Sequence, residues 1–177
     1  VPLSPDERAT IAATPAPPPA WVEGEYPLFL EGELLRAFGS TLAAEMKALQ
    51  QRAPVDLRAN RLKSSRDTVL AALAEKGIAG TPAPFAPDGI RCPTGVRVTS
   101  HPLFASGAFE IQDEAAQIAA LLCDARPGLR VLDFTAGAGG KSLALAAAMQ
   151  NSGEIVAWDI RGEALFELER RAARAGA

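Results

Sequence analysis

A short apolar run followed at once by a glycine-rich turn constrains the fold more than any other part of this sequence. Residues 131–142 read Val-Leu-Asp-Phe-Thr-Ala-Gly-Ala-Gly-Gly-Lys-Ser. The run predicts a strand that ends at Asp133, followed by a turn and a helix from Leu143 to Met149. Glycines let the backbone turn tightly and approach a ligand, and a helix N-terminus presents free N–H groups. The stretch therefore predicts a strand–turn–helix pocket for a nucleotide-like cofactor.

Three kinds of nucleotide site share this outline, and the spacing of the glycines separates them. A phosphate-binding loop needs G-x-x-x-x-G-K-[ST], but Thr135 stands at its first glycine position. A dinucleotide fingerprint needs G-x-G-x-x-G, but Ser142 replaces its third glycine. The pattern that remains, D-x-x-x-G-x-G-G, is the first motif of S-adenosylmethionine-dependent methyltransferases. The alternative is a tight strand-to-helix turn that binds nothing, because short glycine motifs have real false-positive rates.

A second strand is predicted at 154–159, after the turn at 151–153. Strand, helix and strand then lie within about 30 residues, the dimension of a right-handed parallel βαβ unit. Asp159 closes the second strand, and an acid at this position can accept hydrogen bonds from ribose hydroxyls. Its alternative role is to cap a helix that starts near Arg161, and the glycine loop upstream favours ribose binding. Two parallel strands leave a sheet edge and an apolar helix face uncovered, so we expect a truncated polypeptide rather than completion by another chain.

The sequence predicts an α/β protein in three parts. Residues 1–27 are rich in proline and alanine and predict a semi-rigid linker with a short helix at Pro5–Ala12. Residues 28–105 predict a helical segment, broken at Gly39 and capped at Ser40 or Thr41, followed by a small α+β domain. Residues 106–177 predict the N-terminal portion of a Rossmann-like domain, beginning with a strand at 109–111 and a helix capped by Asp113.

The small α+β domain is predicted from a few local signals. A half-buried strand is expected at 55–60, and a helix capped by Ser64 or Ser65 is expected to end at Gly77. Further short strands are expected at 90–91 and 96–98.

This domain also contains the clearest basic run, although the net charge of −3 gives no global sign of nucleic-acid binding. Arg58 and Arg61 lie near the predicted strand, and together with Lys63 they are the candidate RNA contacts. The alternative is a solvated charged face. The run comprises Lys47, Arg52, Arg58, Arg61, Lys63 and Arg66.

Several other classes of protein are disfavoured by what the sequence contains. No apolar run is long enough to span a membrane, and the N-terminus does not resemble a secretory signal. Cys92 and Cys123 are isolated, so a metal site is not expected and idle thiols in a reducing compartment are favoured. The single histidine, His101, is assigned no role.

Three ordered motifs give the chain a resemblance to the RNA (cytosine-5) methyltransferase family, the Sun/Fmu group that includes the bacterial 16S rRNA enzymes. Residues 53–63, APVDLRANRLK, resemble the family's APVDLRVNTLK stretch in a small RNA-recognition-like domain. Residues 107–114, GAFEIQDE, with Gln117 resemble the segment that precedes its cofactor domain. The glycine loop resembles D-x-C-A-x-P-G-G-K-T, with Thr135 in place of Cys and Ala138 in place of Pro.

The resemblance implies S-adenosylmethionine as the cofactor and RNA, either rRNA or tRNA, as the partner of a cytoplasmic enzyme. Asp159 would hold the ribose of the cofactor. An arginine that often follows this acid is replaced at Ala164. The loop residues that would wrap the methionine and ribose parts are Thr135, Ala136, Gly137, Ala138, Gly139, Gly140 and Lys141.

The chemistry of the family is covalent catalysis by a cysteine thiolate that attacks carbon 6 of cytosine. Its cysteines lie in Pro-Cys and Thr-Cys motifs, and neither Cys92 nor Cys123 matches them. We therefore expect the parent protein to be the RNA (cytosine-5) methyltransferase and this segment to be inactive alone. The alternatives are a non-catalytic RNA-binding or ribosome-assembly protein and a methyltransferase with another substrate.

Overall fold

The computed structural model describes residues 2–12 and 17–177, which fall into two compact units that meet in sequence at Arg52 and Ala53. Residues 13–16, in the middle of the predicted proline-rich linker, lie outside the described residues. In the described part of the chain, no helix is long and apolar enough to cross a membrane.

The first unit consists of short helices. They are α1 (Pro5–Ala12), α2 (Ala20–Glu23), α3 (Glu31–Phe38) and α4 (Leu42–Leu49), with 3₁₀ turns at Leu28–Leu30 and Gly39–Thr41. The predicted break at Gly39 is confirmed, because its φ of +52° interrupts the helix. The predicted capping position is confirmed at Thr41, the residue before α4, but its side chain makes no capping bond, and its hydroxyl donates to the Phe38 carbonyl at 2.8 Å. Tyr26, Leu42 and Met46 form the core of this unit.

The second unit begins with a four-stranded antiparallel sheet in the order β2-β3-β1-β4. Its strands are β1 (Val55–Ala59), β2 (Thr81–Pro82), β3 (Gly89–Cys92) and β4 (Phe109–Ile111). Helix α5 (Arg66–Glu75) begins at the predicted cap, since the Ser65 hydroxyl accepts the Thr68 N–H at 3.2 Å. The strand predicted at 96–98 is wrong, because this segment belongs to neither sheet of the described structure and Val98 packs into the core instead.

The central strand β1 is buried on both faces rather than half-buried as predicted. One face packs against Val69 and Leu73 of α5. The other face meets α7 (Glu114–Leu121), whose Gln117 amide donates to the Leu57 carbonyl at 3.1 Å. The predicted cap of α7 is confirmed: the Asp113 carboxylate accepts the N–H groups of the next helical turn. The central strand is therefore covered by a helix on each face of the sheet.

The start of α7 is tied to β1 and β3 by a carboxylate cluster. Asp56 accepts two hydrogen bonds from the Arg91 guanidinium, each of 2.9 Å, and the Glu114 N–H at 3.2 Å. The hydrogen bond from Arg91, which outweighs the opposing effect of burial, lowers the pKa of Asp56 from its ordinary value. The same guanidinium also contacts the Glu114 carboxylate at 3.0 Å.

The predicted parallel strand–helix–strand unit is confirmed. It runs β5 (Arg130–Asp133), α8 (Gly140–Ala148), β6 (Glu154–Ala157) and then α9 (Gly162–Ala175), with β5 and β6 parallel. Helix α8 starts three residues earlier than predicted, because Gly139 adopts a left-handed conformation at its N-cap. One face of the two strands exposes apolar side chains, as expected for an uncovered sheet: Leu132, Phe134, Val156 and Trp158.

The division between the two units differs from the predicted boundaries. The helical segment after residue 28 belongs with the first unit rather than with the small α+β domain. Strand β4, which was assigned to the Rossmann-like part, pairs with β1 through Leu57 and Ile111. All of Ala53–Ala177 forms one compact unit, so the sheet and the strand–helix–strand part are packed together. The prediction placed boundaries by local composition, whereas strand pairing is a long-range contact.

Candidate cofactor-binding site

The glycine loop between β5 and α8 depends on two left-handed backbone positions. Gly137 has a φ of +53° and Gly139 a φ of +82°, a region that side-chain-bearing residues rarely adopt. A Cβ on Gly139 would lie 2.6 Å from Leu168 Cγ on α9. The loop therefore requires glycine at residue 139 for both its backbone conformation and its packing.

The carboxylate at the end of β5 fixes the start of α8. The buried Ser142 hydroxyl donates to Asp133 Oδ2 at 2.6 Å. This bond joins the strand end to the first turn of the helix, on either side of the glycine loop. Asp133 thus helps to shape the loop. Ser142 also has a structural role, which the spacing of the motif residues did not indicate.

The structure brings Asp159 directly onto the glycine loop. Its Oδ2 accepts the Gly137 N–H at 2.8 Å, while Oδ1 accepts the Arg161 N–H at 2.9 Å. The Arg161 backbone hydrogen bond, then its side chain and the Gly137 N–H, lower the pKa of Asp159. Asp159 is therefore an ionised acceptor beside the loop. Its bonds go to Gly137 and to Arg161, the residue before α9, and not to the first turn of that helix.

Free backbone donors lie at the start of α8. The first N–H groups of any helix lack partners within the helix, and no side chain caps α8 at Gly139. Lys141 is exposed in this first turn. Two kinds of group that can bind a polar ligand therefore meet at the loop: backbone N–H donors and the acceptor Asp159.

One contact of the loop was missed by sequence reasoning. Arg171 of α9 donates from Nη1 to the Ala138 carbonyl at 2.7 Å. The same guanidinium bonds to Glu110 of β4, which is 1% exposed and also pairs with Arg174. The available signal was the three-residue spacing of Arg171 and Arg174, which places both on one helix face, but nothing local indicated their partner.

The predicted RNA contacts are not brought together as one exposed patch. Arg58 is buried and donates to Gln112 Oε1 at 2.6 Å, and burial lowers its pKa to about 10. Its assignment as a phosphate contact is wrong, because the central strand turns this side chain into the interior. The Lys63 ammonium donates hydrogen bonds to the Ser106 and Arg174 carbonyls at 2.9 and 2.6 Å. Arg61 remains exposed, 3.9 Å from Asp88.

The two thiols lie in different surroundings. Cys92 is buried in the core of the four-stranded sheet, and burial raises its pKa. Cys123 is exposed after α7 and contacts the Ala119 carbonyl. Within the ranges that the structure describes, no group of histidine, cysteine and acidic side chains could hold a metal ion. His101, which was assigned no role, accepts the Leu103 N–H at the start of α6 (Pro102–Ala105).

Comparisons with known proteins agree with the three motifs. A family model described as the ferredoxin-like domain of RsmF/B-like methyltransferases matches residues 26–99. The ribosomal RNA small subunit methyltransferase B of Pseudomonas putida is 36% identical over 81% of this chain, and that of Pseudomonas syringae is 34% identical over 88%. The chain belongs to the RsmB/Sun-like RNA methyltransferase family. It spans 33% and 35% of the length of these two relatives.

Solved structures of similar proteins have the fold described above. A methyltransferase homologue from Pyrococcus horikoshii matches 89% of the chain with a TM-score of 0.81 and 27% identity, over 52% of its own length. NSun6 from the same organism, whose structure was determined with SFG, matches 85% of the chain with a TM-score of 0.79. That match has 17% identity, covers 63% of NSun6 and concerns the fold alone. The small domain predicted as RNA-recognition-like is thus matched by a ferredoxin-like family model.

Proposed function

We propose that this chain binds S-adenosylmethionine for an RNA (cytosine-5) methyltransferase. The observation that carries the proposal is the contact between Asp159 and the Gly137 N–H, which joins the glycine loop and the acid of the next strand into one site. Spacing had separated this loop from phosphate-binding and dinucleotide-binding loops. Members of this family use S-adenosylmethionine, which supports the same cofactor.

In this proposal the backbone of the loop does most of the binding. Residues 135–141 surround the methionine and ribose parts of the cofactor, with the free N–H groups of α8 as donors. Asp159 accepts three hydrogen bonds, from the Gly137 N–H and from the backbone and side chain of Arg161. A carboxylate has about four acceptor positions, so one stays available for a ribose hydroxyl. Thr135 and Ala138 differ from the residues usual in the family's loop. Binding should tolerate both differences, because the loop binds through its backbone groups.

The methyl acceptor in this proposal is carbon 5 of a cytosine in RNA. Carbon 5 is a poor nucleophile, so the base must first be activated by covalent attack of a thiolate. A reactive thiol is exposed and has a lowered pKa, whereas Cys92 is buried with a raised pKa. Cys123 is exposed but follows Leu122, so it stands in neither a Pro-Cys nor a Thr-Cys motif. We therefore assign delivery of the methyl donor to this chain and methyl transfer to the whole cytoplasmic protein.

The RNA is proposed to be rRNA, since two similar proteins are named as ribosomal RNA small subunit methyltransferases. Arg61 is the predicted contact that remains exposed, and we keep it as a candidate for phosphate binding.

Deletion of the gene that encodes this sequence tests the function of the whole protein. Bisulfite sequencing of rRNA should show the loss of at least one 5-methylcytosine, and the unchanged gene should restore it. The Asp159→Asn variant should restore it poorly at the same protein level, since an amide has a single acceptor oxygen. An unchanged rRNA methylation pattern would contradict the proposal, and altered ribosome assembly with unchanged methylation would favour the non-catalytic alternative.

A further inference from the structure

Helix α9 contacts the glycine loop at two adjacent residues. Leu168 packs where a Cβ on Gly139 would lie, and Arg171, one turn later, donates to the Ala138 carbonyl at 2.7 Å. The two contacts act on consecutive loop residues, one by packing and one by a charged hydrogen bond. The position of α9 therefore determines the backbone conformation at the middle of the loop.

The guanidinium of Arg171 is held from its other side by a buried carboxylate. Glu110 Oε2 accepts from Arg171 Nε at 3.1 Å and from Nη2 at 2.8 Å. Arg174 pairs with the same carboxylate at 2.7 Å, so Glu110 is bonded to two cations and is 1% exposed. A planar guanidinium with two nitrogens bound to one carboxylate has a fixed orientation, which a lysine ammonium would not have. The third nitrogen is thereby directed at Ala138.

The far end of α9 is anchored to the segments around the four-stranded sheet. The Asn60 amide donates to the carbonyls of Gly107 and Ala175, both at 2.8 Å. Lys63 donates to the Arg174 carbonyl, and a cation at a helix C-terminus is favoured by the helix dipole. A Cβ on Gly107 would lie 2.0 Å from the Arg174 carbonyl oxygen, so the close approach requires glycine there. These contacts fix α9 independently of the loop.

We infer that Arg171 is a positioning residue, which holds the glycine loop in its ligand-binding conformation through the Ala138 carbonyl, with Glu110 as its anchor. This inference rests on the proposed function only for the identity of the ligand. Ala138 has no ring to restrict its φ, so its backbone is free to move unless another group restrains it. Arg171 supplies that restraint from the side of the loop that α9 covers.

Amide hydrogen exchange, followed by NMR on the complete chain, tests the role without any ligand. The informative amides are those of Ala136, Gly137 and Gly139, which donate to Trp158 O, Asp159 Oδ2 and Ala136 O. In Arg171→Met their exchange should accelerate about tenfold or more, the effect of losing a hydrogen bond to a charged group. Exchange in the buried strand β1 should stay unchanged, because Glu110 on the neighbouring strand β4 keeps its ion pair with Arg174. Arg171→Lys should recover part of the protection.

Arg170→Met is the matched control, since Arg170 lies on the same helix, is exposed and pairs with Glu167 of that helix at 3.5 Å. Its loop exchange should equal that of the unchanged chain. Unchanged loop exchange in Arg171→Met would overturn the inference, as would equal acceleration in β1. If Arg171→Met does not fold, the same two comparisons are made in Arg171→Lys, where faster exchange confined to the loop supports the inference and its absence overturns it.

A parallel titration with S-adenosylmethionine separates this inference from the proposed function. The dissociation constant should rise by about the factor seen in loop exchange, because the free loop must be ordered on binding. Loop-specific acceleration combined with no binding by the unchanged chain would support the positioning role of Arg171 and contradict the proposed ligand. An unchanged dissociation constant in a variant with accelerated loop exchange would overturn the link between the loop conformation and ligand binding.

Discussion

Replacing Gly139 by alanine should be the most damaging single-methyl change in the glycine loop. Its φ is +82°, and the left-handed region costs an alanine about 1–2 kcal/mol. The added Cβ would lie 2.6 Å from Leu168 Cγ and 3.1 Å from Cδ1, and such overpacking typically costs about 1–3 kcal/mol. Because Leu168 is half-buried and can shift, we expect a total loss of about 2–4 kcal/mol in the free energy of unfolding. Urea denaturation of the complete chain measures this loss.

Gly128→Ala is the matched control, since Gly128 has a φ of +87° but no atom within 4 Å of its Cβ position. It should lose only the backbone component, about 1–2 kcal/mol. In a Leu168→Ala background, Gly139→Ala should cost no more than this control, and the double-mutant cycle gives the packing component directly. Equal costs for Gly139→Ala and Gly128→Ala in the unchanged background would refute the proposed packing of α9 against the loop.

Three further predictions concern the second unit. Since the hydrogen bond from Arg91 lowers the pKa of Asp56, the ionised carboxylate stabilises the fold above the ordinary pKa, and this stability should disappear as the pH falls through the lowered value. The unfolding midpoint in urea should therefore drop in acid, by less in Asp56→Asn, and an identical acid dependence in both would contradict this. Arg58→Met should lower thermal stability, because it removes a buried hydrogen-bonding side chain. Arg61→Met should leave thermal stability unchanged and reduce the salt dependence of RNA binding. The reverse pattern would support the interpretation of Arg58 as a surface residue. In the native chain, a maleimide should label Cys123 alone, and doubly labelled native protein in the mass spectrum would argue against the buried core thiol.

Local sequence patterns predicted the strand, glycine turn and helix at 131–149 because this backbone geometry is local. A strand, two left-handed glycines and the start of a helix are encoded within twelve residues. The capping residues Ser65 and Asp113 were predicted for the same reason, since a cap bonds to N–H groups within three positions.

Long-range contacts account for what the sequence did not show. The alternation in β1 suggested one solvent face, but α7 covers that face, so Arg58 lies inside with Gln112 as its partner. Polar residues alternate along a strand in the same way whether its outer face meets water or a helix. Likewise, the pairing of Glu110 with Arg171 joins residues 61 positions apart. A basic residue on a helix face gives no indication of such a partner.

Binding of S-adenosylmethionine at the glycine loop is tested by calorimetric titration of the complete chain, followed by NMR on the isotope-labelled protein. We expect one bound cofactor per chain, with the largest amide shifts at 135–141 and near Asp159, and binding much weakened in Asp159→Asn. ATP and NAD should produce neither heat nor these shifts, because the spacing of the loop fits neither of their motifs. A folded chain that gives no heat and no shift with S-adenosylmethionine would contradict the proposed cofactor site.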